Sequence, residues 1–102
     1  MVFAFPVCDR WQFTLAQTGV PLDVIFCRTR CVIDDSTIVL DVLAVATVAA
    51  GDPRPVDPGS DRIDVVIELA AGAAREAGIV PGVELWVCAS GEGLVGRGPG
   101  PA

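Results

Sequence analysis

A chain of 102 residues has room for one hydrophobic core and not for two domains. Its 13 acidic side chains face seven basic ones, all arginine, for a net charge of −6; this argues against a nucleic-acid partner, whose affinity would come largely from a basic surface. With no histidine, lysine or tyrosine, the chain also lacks the commonest general acid/base, the Schiff-base amine and the imidazole metal ligand.

Residues 2–7 are a short aromatic and β-branched run, closed by Pro6, Cys8 and Asp9, and predict a strand. Residues 10–17 alternate in part, with Trp11, Phe13 and Leu15 on one side and Gln12, Thr14 and Ala16 on the other, as in a half-buried strand. Pro21, without an N–H, suits the start of the next strand, residues 20–27. Arg28, Thr29 and Arg30 interrupt the pattern before it resumes at residues 31–33, which reads as a hairpin. Asp34, Asp35 and Ser36 make a second turn. Residues 37–50 are too β-branched for a helix and fit one long bent strand or two short ones.

Residues 51–61 hold three prolines and two glycines, a turn series or loop. Residues 62–69 alternate as a strand. Residues 70–77 are alanine-rich and stopped by Gly78, with Pro81 beyond, and predict the single helix. Residues 82–89 form a strand, Gly91 to Gly93 a tight turn, and residues 94–97 a strand stub. Residues 1–97 thus make one domain, and residues 98–102 a flexible tail. The predicted class is mainly β (α+β): a small antiparallel β barrel with one short helix near residues 70–77.

No signal peptide is legible at the start. The longest apolar run, residues 37–50, carries Asp41 and is 14 residues long, against about 20 for a membrane span. The expected location is cytoplasmic or within an assembly, with no direct membrane insertion. The hydrophobic fraction of 52% and mean hydropathy of +0.57 exceed those of an average soluble domain, an excess that a protein partner would cover.

Three constellations could carry chemistry. Gln17, Thr18 and Asp23, with Arg10 nearby, form either a polar ligand pocket at the barrel mouth or a structural set in which Asp23 caps a turn or pairs with an arginine such as Arg10 or Arg28. Cys27 and Cys31 flank the polar break. In a hairpin they would face each other at about 4.5–5.5 Å and could form a disulfide; on one continuous strand they would lie about 13 Å apart and could not. The remaining cysteines, Cys8 and Cys88, complete four without a C-x-x-C pair, so a zinc site is disfavoured and no metal or cofactor is expected. Asp41, the one charge in its apolar run, needs an arginine partner if buried. Trp11 and Trp86 are either core residues or anchors at a protein contact.

The order of these segments resembles the family called domain of unknown function 192 (DUF192). Its motifs read roughly G-M-L-F-x-F-P, then F-W-M-K-N-T-x-x-P-L-D-x-x-F, then Y-V-L-E-L-x-A-G-x-x-x-x-x-G-I-x-x-G-D. Here they become M-V-F-A-F-P at residues 1–6, F-T-L-A-Q-T-G-V-P-L-D-V-I-F at 13–26, and V-V-I-E-L at 65–69 followed by Ala71-Gly72 and G-I-V-P-G at 78–82. The resemblance spans residues 1 to about 87. It implies a compact β barrel with a helix, in a family with many exported or membrane-tethered members and no established reaction. Leu15 stands for the motif methionine and Gln17 for its asparagine, and the family's opening strand has no counterpart before residue 2. The expected barrel is therefore one element short, with an edge to be covered by residues 51–61, the C-terminal tail or a second copy. Val2, Phe3, Phe5 and Trp11 are the expected interface residues. The expected function is a non-catalytic binding or structural interaction module in a homo- or hetero-oligomeric assembly. The alternative is a small-ligand-binding protein or enzyme using a pocket at Gln17, Thr18 and Asp23.

Overall fold

The structure is a computed structural model and describes residues 2–9, 13–14, 19–53, 55–56, 62–88 and 93–97. Strands β1 (Val2–Asp9), β2 (Phe13–Thr14), β3 (Leu22–Asp34), β4 (Thr37–Val48), β5 (Pro55–Val56) and β6 (Ile63–Ala70) precede one helical turn, α1 (Ala73–Glu76). Strands β7 (Glu84–Cys88) and β8 (Gly93–Arg97) follow it. Six strands pair antiparallel in the order β1-β6-β3-β4-β7-β8, and β2 pairs with β5 separately. The mainly β class with one short helix holds.

Two features of the predicted architecture are corrected. The sheet does not close into a barrel: among the described residues, β1 and β8 are its two ends and do not pair with each other. The break at Arg28 to Arg30 is not a hairpin either, because β3 runs through it unbroken: Arg28 and Thr29 pair with Asp41 and Leu40 of β4, and a bulge takes up Arg30. Register shifts at Phe26/Cys27, Thr29/Cys31 and Val32/Asp34 bend the β3–β4 pair and increase its twist. Of residues 37–50, read as one bent strand or two, residues 37–48 form one strand. The helix is shorter than residues 70–77, since Ala70 still belongs to β6, opposite Leu22.

Bending makes the sheet staggered. β6 accompanies β3 only from Leu22 to Cys27, and β7 accompanies β4 only from Thr37 to Asp41. The proximal half of the central hairpin therefore has β6 and β1 beside β3, while the distal half has β7 and β8 beside β4. From Asp23 to Cys27 all five β3 residues are buried, since both faces of the sheet are covered there. Alternate residues enter two clusters: Ile25 and Cys27 pack with Leu40, Val65, Ile67 and Leu85, while Val24 and Phe26 pack with Ile63 and Val66. Ala74 of α1 and Ile79 cap the first cluster. Among the described residues, no helix is long and apolar enough to cross a membrane.

Candidate functional site

Asp23 is 3% exposed, the one buried charged side chain among the described residues. β3 carries it into the junction between the sheet and α1, where the Pro21 carbonyl accepts the Ala71 amide at 3.3 Å. Its Oδ1 accepts the Thr47 hydroxyl at 2.7 Å, and its Oδ2 accepts the backbone amides of Gly72 at 2.9 Å and Ala74 at 3.0 Å. Gly72, at the N-cap position of α1, has φ of 93° and no side chain with which to cap the turn. Asp23 supplies the missing acceptor from another strand, which satisfies two orphan donors of the helix start. Of the two structural roles open to it from sequence, turn cap and arginine partner, the cap is the one formed.

The other end of α1 closes locally. The Ile79 amide donates to the Ala74 carbonyl at 2.8 Å and the Gly78 amide to the Arg75 carbonyl at 3.1 Å, with Gly78 at φ 70°, which is a Schellman motif. Between this closure and the sheet lies an open cavity of about 460 Å³, lined by Asp23, Val45, Thr47, Arg75, Ile79 and Val80 among others. Its lining is chiefly apolar, and its buried carboxylate is already engaged. Arg10, Gln17 and Thr18, expected to share a pocket with Asp23, lie outside the described residues.

A second region stands out at the distal end of β3. Residues 30–34 are all exposed, Val32 at 65% and Ile33 at 51%. A strand with one covered face would bury alternate residues, so neither face is covered here. On one side this segment pairs with β4; on the other, among the described residues, it pairs with nothing. The edge is closed off just before it, where the Thr29 amide donates to Asp64 Oδ1 at 2.8 Å and the Arg28 guanidinium donates to the Arg62 carbonyl at 2.9 and 3.1 Å. Arg30 bridges Asp41, at 3.2 Å, and Glu84, so Asp41 does have an arginine partner. At the tip, the Ser36 amide and hydroxyl donate to Asp34, at 2.8 and 2.9 Å, and hold its carboxyl below the usual range, chiefly through the amide.

Cys27 and Cys31 are both free thiols on the same continuous strand, so the disulfide that a hairpin would have allowed does not form. Cys27 is wholly buried, and burial, followed by the charges of Asp64 and Asp41, pushes its pKa from 9.0 up to about 12. Cys31 is exposed. Of the expected interface residues, Val2 is 38% exposed on β1, Trp11 lies outside the described residues, and so do the side chains of Phe3 and Phe5. Trp86 is half-buried on β7, its indole N–H buried without an acceptor among the described residues.

Val32 and Ile33 are not singled out by the sequence, whose pattern predicts residues 31–33 as the second strand of a hairpin. No local sequence signal marks them, since the exposure follows from strand lengths that only the structure shows: β3 and β4 are 13 and 12 residues, whereas β6 and β7, their outer neighbours, are 8 and 5. The excess must overhang.

The family model of DUF192, described as Uncharacterized ACR, matches residues 1–87. The chain belongs to the DUF192 family. No curated protein and no solved structure matches it. Two of the segments that carry the DUF192 resemblance meet at one carboxylate: P-L-D at residues 21–23 provides Asp23, and the alanine-glycine pair at 71–72 opens the turn that Asp23 caps.

Proposed function

We propose that this DUF192 chain is a non-catalytic protein-interaction module whose contact surface is the distal end of β3. The observation that carries the reading is the exposure of Val32 and Ile33 on a strand segment that, among the described residues, is open on both faces and along one edge. Apolar side chains presented on an unpaired edge are a template for another chain. The chemistry around Asp23 favours a non-catalytic role, because three hydrogen bonds tie that carboxylate to Thr47 and the α1 backbone. Burial likewise keeps the Cys27 thiol neutral.

A photo-crosslinking residue at position 32, compared with one at position 80 beside the cavity, tests the reading in cells. A protein adduct at 32 with none at 80 is the expected result; absence of any adduct at 32 overturns it. The cavity of about 460 Å³ favours a second reading, a small apolar ligand near Asp23. Native mass spectrometry of the purified chain separates the two, since a retained small molecule above the 10.6 kDa of the polypeptide supports the ligand.

A further inference from the structure

We infer that residues 30–34 of β3 pair antiparallel with the same segment of a second copy, Val32 lying on the two-fold axis. The inference rests on the interaction reading above and names its partner. The edge left free among the described residues is bounded at both ends: the Asp64 carboxylate occupies the Thr29 amide at one end, and the turn at residues 35–36 ends the strand at the other. The span between them is residues 30–34, whose centre is Val32. A two-fold axis through that centre lets the whole free edge pair with itself, and this self-complementarity is what an isologous contact requires.

Charge selects the same arrangement. Arg28 and Arg30 lie before Val32, and Asp34 and Asp35 after it, so an antiparallel copy sets each basic end over an acidic one, with Arg30 opposite Asp34 of the second copy. A parallel copy would stack like charges. Arg30 keeps its bonds to Asp41 and Glu84 within the chain, yet its side chain is 54% exposed and a guanidinium carries five N–H donors. Asp34, held ionised by Ser36, is available as the opposing charge. The bulges at Thr29/Cys31 and Val32/Asp34 fall within this segment, at Arg30 and Ile33, and twist it, so its regular stretch is short and centred on Cys31 and Val32. The contact is accordingly small, and the dimer is weak and concentration-dependent.

Sedimentation equilibrium of the full chain from micromolar to millimolar concentration should show a monomer–dimer equilibrium. Val32→Lys should raise the dissociation constant roughly a hundredfold, about tenfold for each of the two symmetry-related valines lost. Monomer mass of 10.6 kDa at every concentration overturns the inference. The register is read independently with the double variant C31S/V32C under mild oxidation, which should give a dimer linked between the two copies of position 32. Wild-type Cys31 should not link to its own copy, because diagonal neighbours at about 7–8 Å exceed the span of a disulfide. A dimer linked through Cys31 and not through position 32 overturns the proposed register. In the photo-crosslinking experiment, an adduct of twice the chain mass supports the second copy. An adduct with a different protein leaves the interaction reading standing and overturns this one, while no adduct at position 32 removes both.

Discussion

A single carboxylate joins three parts of this protein. Asp23 reaches from β3 to the α1 backbone and to Thr47 on β4, so removing it should leave the Ala74 amide buried without an acceptor. Asp23→Ala is expected to lower stability by about 2–3 kcal/mol, the sum of a lost helix cap and unsatisfied donors. Thr47→Val alone should cost about 1 kcal/mol, for one hydrogen bond, and almost nothing once Asp23 is gone. Urea denaturation of the two single variants and the double variant checks both expectations; additive losses would show that Thr47 and Asp23 act independently. That Asp23 sits in an apolar segment was plain from the sequence, as was its choice between pocket and cap. The cap itself was not legible, because its donors are 49 and 51 positions away along the chain.

Elements here are set by local pattern, and their lengths by neighbours. Gly78 ends α1 as the sequence signals, through a closure that buries Ile79 beside Ala74. Its start depends on Gly72, which sits at φ 93° with open space around the missing side chain. Gly72→Ala should therefore cost about 1–2 kcal/mol through backbone conformation alone, without a steric clash, as read by the thermal midpoint. The distal end of β3 behaves oppositely. Ile33→Lys should change stability of the isolated chain by no more than about 0.5 kcal/mol, because the side chain is exposed. A loss well above that in denaturant unfolding of dilute protein would mean that Ile33 packs within its own chain. The hairpin expected at Arg28 to Arg30 failed for a related reason: polar residues signal a turn locally, but pairing with β4 from Cys27 to Asp34 carries the strand through them, with a bulge at Arg30.

At the scale of the whole molecule, composition makes the alkaline limb of stability unusually simple. Without lysine or tyrosine, thiols are the side chains that titrate between neutrality and the arginine range. Cys27 has a folded pKa of about 12 against 9.0 for a free thiol, because the fold favours the neutral form. Its contribution is complete below pH 9.0 and is lost as pH rises toward about 12, at up to about 1.4 kcal/mol per pH unit. Cys27→Ala should flatten that decline, as measured by urea midpoints on either side of pH 9.0; an unchanged slope would assign the decline to other groups. Alternation, turn residues and the glycine-stopped alanine run were enough to determine a mainly antiparallel β chain with one short helix, and the motifs at residues 1–6, 13–26 and 65–82 carried the DUF192 resemblance, because each depends on residues close in sequence. Closure of the sheet, the reach of Asp23 to α1 and the overhang of β3 were decided by tertiary structure alone. They depend on where bulges bend the central hairpin and on how far each neighbour follows it, and no local pattern encodes those lengths.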